Sequence, residues 1–261
     1  YPAWFPDKWR QENARMARAM ELSDHVFYQS EFCKKSADTF LGVRAKSYDI
    51  LYNGVDTESF KPIEHSVCND YFTFLLSGNI SASTYYRLTN ALDGLEVALR
   101  NGLNVKINFS GLMPQTLEVQ FVNDIEKRNL QDRFLMSGAY SRKQAPQIFG
   151  GADAYLITKH NDPCPNVVLE AMACGLPILY AASGGVPELV GGAGVSLAVP
   201  ETYDANPVPT AEAIAEGMAK IIYQRDAFSS LARERAVQKF DIQLWAQRHK
   251  VVFDRLVNGC Q

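Results

Sequence analysis

The residue types best suited to chemistry gather in one run: Lys159-His160-Asn161-Asp162-Pro163-Cys164-Pro165-Asn166-Val167-Val168-Leu169-Glu170-Ala171-Met172-Ala173-Cys174-Gly175-Leu176-Pro177. The pattern predicts a helix over 165–174. Proline suits its first position because the missing N–H is not needed there, and Gly175 and Pro177 end it. Between those ends it is apolar on every face except at Glu170, which is the pattern of a buried helix. A lone carboxylate in such a place must be paired, protonated or bound to something. Unpaired N–H groups at the helix start suit a phosphate, and Glu170, one turn further in, can reach a sugar hydroxyl. Asp162 stands eight residues earlier on the approach loop. On the residues alone, a Glu170 that caps a neighbouring loop is equally consistent. Cys164 is either a loop-packing residue, the default, or a thiol whose pKa the helix start lowers.

The elements that must hold these groups alternate. A helix over 7–22 leads to a strand over 25–29, and Ser30 caps a second helix over 31–40 with Glu31 in its first turn. A strand over 48–52 closes at Asn53-Gly54, a strong turn signal, and 61–70 reads as a polar linker. Strands are then expected over 72–77, 104–109, 133–136, 154–158 and 176–181. Helices are expected over 85–100, 115–128, 141–149, 165–174, 210–224, 227–239 and 241–257. The helix over 85–100 places Leu88, Ala91, Leu92, Leu95 and Leu99 on one stripe. The last helix does the same with Ile242, Trp245, Ala246, His249, Phe253 and Leu256. This order implies an α/β fold, a Rossmann-like parallel sheet flanked by helices. Gly78, Gly111, Gly138 and the pair Gly184-Gly185 fall at strand exits, the edge where such sheets bind ligands. A glycine there equally serves a tight turn alone.

Composition removes several classes. The chain has 261 residues, 47% of them hydrophobic and 21% charged, with a net charge of −3. Global disorder and coiled coil do not fit, no apolar run reaches the roughly 18 residues of a membrane span, and nucleic-acid binding is disfavoured. Cys33, Cys68, Cys164, Cys174 and Cys260 form no Cys-x-x-Cys pair, and His25, His65, His160 and His249 have no metal-ligand spacing. A reducing cytosol and no bound metal are the expectation. The sequence lacks a Gly-x-Ser-x-Gly elbow and a Gly-x-x-x-x-Gly-Lys-Ser/Thr loop. Tyr1-Pro2-Ala3-Trp4-Phe5-Pro6 has neither the basic start nor the apolar core of a signal peptide, and the reading is of a piece of a longer chain. The last 42 residues carry eight basic and four acidic side chains. They form a solvated face or a contact with anionic lipid at the inner face of a membrane.

Four segments in order resemble the retaining GT-B glycosyltransferases of glycosyltransferase family 4. Asp162 and Glu170 match the family's acidic pair, seven residues between them, continuing through Leu169-Glu170-Ala171-Met172-Ala173-Cys174-Gly175. Ser183-Gly184-Gly185-Val186-Pro187-Glu188 matches the loop that follows. Tyr52-Asn53-Gly54-Val55-Asp56 matches the link between the two GT-B domains, and Val26-Phe27-Tyr28-Gln29-Ser30 resembles the last strand of the acceptor domain.

The resemblance implies transfer of a hexose from a nucleoside diphosphate sugar to an unidentified acceptor (glycan, lipid-linked or small molecule), with retention and no cofactor. It places the diphosphate at Asn166, Val167 and Val168, the ribose on Glu170 and the hexose at Asp162. Gly78 and Gly138-Ala139-Tyr140 would line the pyrophosphate and base, and Gly184-Gly185 would join the donor site. The family's Arg after the first glycine is replaced by Asn79, and its Lys region reads Ser83-Thr84-Tyr85-Tyr86, so Arg87 or Lys159 becomes the candidate phosphate cation. By the same resemblance 1–60 is an incomplete remnant of the acceptor domain with the link, 61–240 the donor-binding C-terminal domain, and 241–261 a crossover helix. The isolated chain is then expected to bind donor without transferring sugar. Its last helix should stay partly uncovered, favouring self-association or a missing N-terminal domain as partner. A sugar-nucleotide epimerase shares this fold, but the link and the Leu-Glu-Ala-Met-Ala-Cys-Gly helix favour the transferase. Asn79 and the missing first domain motivate a third reading, a non-catalytic binder.

Overall fold

The computed structural model describes residues 8–63 and 71–259. Tyr1 to Pro6, His65, Cys68, Cys260 and most of the polar stretch 61–70 lie outside the described residues.

The first described segment holds α1 (Trp9–Leu22), β1 (Val26–Tyr28), α2 (Glu31–Leu41) and β2 (Tyr48–Ile50), with β1 and β2 paired in parallel. Ser30 caps α2 as its position predicts, its hydroxyl accepting from the Cys33 N–H at 3.0 Å. The second segment builds a six-stranded, all-parallel sheet. Its strands are β3 (Phe72–Ser77), β4 (Val105–Ser110), β5 (Phe134–Gly138), β6 (Ala154–Ile157), β7 (Ile178–Ala181) and β8 (Gly194–Leu197), in the order β5-β4-β3-β6-β7-β8. The order reverses between β3 and β6, so a crevice opens at the carboxyl ends of those two strands, where doubly wound sheets bind ligands.

Helices cover both faces because both faces are apolar. Phe74 and Leu76 point to one core with α3 (Tyr86–Arg100), α4 (Gln115–Lys127) and α8 (Ala211–Tyr223). Leu75, Tyr155 and Ile157 point to the other, with α5 (Ala145–Gly150), α6 (Asn166–Ala173), α7 (Val186–Val190) and most of the buried face of α9 (Arg225–Lys239). The stripe of Leu88, Ala91, Leu92 and Leu95 on α3 is fully buried, as its spacing predicts. Three short features depart from the sequence reading. β8 and α7 stand where no element is expected, and a 3₁₀ turn over Ala82–Thr84 precedes α3.

The final helix, α10 (Ile242–Asn258), crosses back onto the first segment. Val55 N–H donates to Phe240 O at 2.8 Å and Ile242 N–H to Val55 O at 2.9 Å, joining the 51–63 link to the start of the helix. The His249 ring lies 4.4 Å from Phe27 and 3.9 Å from Trp245. The stripe is partly uncovered, as expected: Phe253 is 55% exposed although its ring still lies 6.4 Å from Phe27. Ala246 is exposed, and Val252, outside the expected stripe, is buried. Among the described residues no helix is long and apolar enough to cross a membrane.

Candidate active site

At the exit of β3, Gly78 has φ +112°, a conformation that side chains disfavour, and its N–H donates to Ser110 O at 3.1 Å. The turn opens a cleft of about 410 Å³ between the ends of β3 and β6 and the start of α6. Gly78, Asn79 and Arg87 line one side; Lys159, Asp162, Asn166 and Val167 line the other. Seven of the residues singled out from the sequence therefore meet around one space.

The α6 end of the cleft has the anion-binding character its sequence predicts. Pro165 flanks the helix without a side-chain cap. The Val168 N–H closes a turn on Pro165 O at 3.0 Å, so it is already engaged, and its side chain is fully buried. No hydrogen bond takes the N–H of Asn166 or Val167 among the described residues, leaving both for a ligand.

Asp162 is positioned by the two glycines that follow β7. Gly185 N–H donates to Asp162 O at 2.9 Å. A Cβ on Gly184 would stand 2.3 Å from that same oxygen, and one on Gly185 only 2.0 Å from Pro163 O. Gly184 and Gly185 thus form the seat of the Asp162 loop, and Gly184 faces a separate cleft of about 430 Å³ beside Glu31 and Glu201. The loop is also pinned through Ser183. Its hydroxyl accepts from Asn161 N–H at 2.8 Å and lies 2.9 Å from His160 Nδ1. The Asp162 carboxylate holds Lys159 Nζ at 2.8 Å.

Glu170 lies half-buried on α6, and among the described residues no hydrogen bond or salt bridge engages its carboxylate. The loop-capping alternative is not realised. Burial pushes its carboxyl above the usual range, against a smaller pull from Arg142. Tyr140 sits close enough to feel it: burial raises the phenol, Ser77 draws it back, and the Glu170 charge raises it further. Neither Glu170 nor Tyr140 lines the cleft itself. Gly138 and Ala139, at the end of edge strand β5, are exposed and do not line the cleft itself.

Two residues of the matched motifs received no role from the sequence. Asn53, which reads there as half of a turn signal, donates its amide to Asn166 Oδ1 at 2.7 Å and Cys164 O at 3.1 Å, fixing the start of α6. Glu188 accepts the N–H groups of Glu31 at 2.8 Å and Phe32 at 2.7 Å, capping α2 from across the molecule. Burial, with the Glu188 charge added to it, pushes the Tyr52 phenol up to about 12. The activated-thiol alternative for Cys164 is overturned: it is 4% exposed and burial pushes its thiol up to about 12, outweighing the hydrogen bond it accepts from the Asn53 N–H. Among the described residues no group of three or more His, Cys, Asp or Glu side chains gathers as a metal site.

The six-stranded parallel sheet with helices on both faces is the fold seen in GT-B glycosyltransferases, and comparison with known proteins gives the family. Residues 81–237 match the family Glycosyl transferases group 1, and the chain belongs to that family. A curated relative, the phosphatidylinositol N-acetylglucosaminyltransferase gpi3 subunit of Schizosaccharomyces pombe, is 24% identical over 196 residues, 74% of this chain and 41% of that protein. The chain thus spans about two-fifths of that relative. Among solved structures, the sucrose-phosphate synthase of Thermosynechococcus elongatus superposes with a TM-score of 0.75 at 16% identity, covering 98% of this chain and 66% of that one. Anabaena HepE, solved with UDP and glucose, gives a TM-score of 0.69 at 20% identity, covering 94% of this chain and 67% of that one.

Proposed function

We propose that this chain is the donor-binding half of a retaining hexosyltransferase that uses a nucleoside diphosphate sugar, with 61–240 as the donor domain, 1–60 as a remnant of the acceptor domain with the link, and 241–261 as a crossover helix. The observation that carries the reading is the cleft at the β3/β6 reversal, where the free N–H groups of Asn166 and Val167 meet a carboxylate loop. The diphosphate docks on the α6 start, helped by the Gly78 turn and Asn79. The hexose faces Asp162, and the ribose hydroxyls reach the unengaged Glu170. Tyr140, with Gly138 and Ala139 beyond it, borders the base. Basic side chains and helix dipoles stabilise the leaving phosphate, so the transfer needs no cofactor. The UDP and glucose held by the structurally similar HepE, and the transferase named for the S. pombe relative, both support this reading.

Transfer also requires an acceptor held in near-attack geometry. Residues 8–60 offer two short strands and two helices for that wall, and the isolated chain is expected to bind donor without transferring it. Calorimetry with UDP-, GDP- and ADP-sugars tests the donor site, and product analysis tests the transfer. Binding of one sugar nucleotide in the micromolar range supports the reading. No binding of any of the three refutes the donor site, and efficient transfer by the monomeric 261-residue chain refutes the division of labour.

A further inference from the structure

The residue before Asp162 has an uncommon backbone. Asn161 has φ +54°, and among the described residues the one other non-glycine at positive φ is Asn129, which follows the end of α4. A left-handed residue at a helix end is routine, but Asn161 closes no helix. It lies beyond the exit of β6 and turns the chain back, so that Asp162 meets Lys159, three residues earlier, at 2.8 Å. Hydrogen bonds hold the turn on two sides. Asn161 N–H donates to Ser183 Oγ at 2.8 Å, and its Nδ2 donates to Thr202 O at 2.7 Å. His160 Nε2 lies 2.9 Å from the same carbonyl and so carries a proton; in the neutral ring that leaves Nδ1 to accept from Ser183 Oγ, 2.9 Å away. On a third side the chain lies flat on Gly184, where a Cβ would stand 2.7 Å from Asp162 N and 3.0 Å from Asn161 C. His160 and Asn161 are almost completely buried. A sparsely populated backbone persists where its surroundings over-determine it, and such residues gather at binding sites.

Thr202 is itself held from the far side. The Tyr203 ring packs edge-on against Phe40 at 4.9 Å and its hydroxyl lies 3.1 Å from Ser36 Oγ, both on α2. Lys35, also on α2, pairs with Glu201. The loop after β8 is therefore a strap running from α2 to the turn that carries Asp162. We propose that Asn161 is a positioning residue for the donor sugar: its clamped left-handed turn aims the Asp162 carboxylate, and the Tyr203 strap ties that aim to α2. The inference rests on the donor-site reading above and deepens it, by placing the discrimination between hexoses in this turn. Epimers present the same hydroxyl in different directions. A carboxylate with one fixed aim pairs with one epimer and is left unpaired by the other, whereas a freed turn lets it follow either. The nucleoside diphosphate, on the α6 start, makes no contact with the clamp, so its affinity is independent of it.

The test measures affinities by calorimetry on the whole chain, for UDP, GDP and ADP and for each nucleotide carrying glucose or its C2 or C4 epimer. For the base it accepts, the wild type should prefer one epimer by about ten- to a hundred-fold. Asn161→Gly keeps the left-handed backbone and removes the clamp. It should reduce the preference to within about threefold and leave the affinity for the bare nucleoside diphosphate unchanged. Tyr203→Ala, which alters no residue of the cleft, should shift the preference in the same direction by a smaller factor. Should Asn161→Gly not fold, Ser183→Ala removes the clamp from its other side and is read in the same way. A preference that survives loss of the clamp overturns the proposal. So does an equal loss of affinity for sugar nucleotide and bare nucleotide, which is what a merely structural role would produce. An unchanged preference in Tyr203→Ala overturns the tie to α2. A wild type that binds sugar nucleotides without distinguishing epimers overturns the inference and leaves the donor site standing; one that binds no nucleotide removes the donor-site reading, and this inference with it.

Discussion

In the six-stranded sheet Phe74, Leu75 and Leu76 are all fully buried, whereas in the two-stranded sheet Tyr28 is buried and Tyr48 is 40% exposed. The large sheet has helices on both faces and carries its own core. The small one has α1 and α2 and otherwise depends on groups from the rest of the chain: Glu188 at the start of α2, the α10 rings against Phe27, and the Val55 bridge. A core stabilises a region through many small contacts, while a tethered region depends on a few polar ones. The cleft takes from both. Its floor is core, and Asn53 brings the tethered side to the start of α6.

Substitutions should separate the two modes. The largest effect is expected from Gly185→Val, because a Cβ there would meet Pro163 O at 2.0 Å and Ser30 Oγ at 2.9 Å. It should lower stability by roughly 3 kcal/mol in urea unfolding and abolish donor binding together. A mild effect would mean the Asp162 loop is less tightly seated than its contacts indicate. Glu170→Ala leaves the core nearly intact, since among the described residues no hydrogen bond or salt bridge engages the carboxylate. It should cost roughly 1.5–3 kcal/mol of sugar-nucleotide affinity with little change in unfolding. Unchanged affinity in the folded variant removes Glu170 from the site.

Glu188→Ala tests the tether. It leaves two N–H groups at the start of α2 without their acceptor and should cost about 1 kcal/mol. Faster amide exchange should be confined to 26–60; exchange spreading through β3 to β8 would show that the regions unfold as one unit. The smallest effect is the pH dependence of Glu170. Its carboxyl is raised in the folded state, so its contribution favours folding at low pH and is lost as pH rises from the ordinary carboxylate range through its raised pKa. With the carboxylate as the proposed acceptor of the ribose hydroxyls, donor binding should strengthen over the same interval. Glu170→Gln should flatten both trends.

Much of this architecture was legible in the sequence. Leu88 to Leu95 on α3 announce a helix by spacing, Ser30 announces its cap, and Glu170 stands out as the one charge on an apolar helix. β8 was not legible because only Val195 and Leu197 point inward from a four-residue strand, too few to show a period. α7 has five residues inside a stretch that reads as loop. Asn53 looked like turn chemistry because its partners Cys164 and Asn166 are over a hundred residues away. The burial of Arg87 depends on what surrounds α3 in three dimensions, which no local pattern encodes.

The cap on α2 also bears on how the molecule is made. Glu188 follows Glu31 by 157 residues in the chain, and Asp241, which accepts from Thr57, follows it by 184. During synthesis the first helices and strands leave the ribosome long before the groups that hold them exist. At about 5–20 residues per second that interval lasts roughly 10–40 s. Through it β1 and β2 have neither α10 nor Glu188 to dock against, so the early segment completes its structure last, after α10 has been translated.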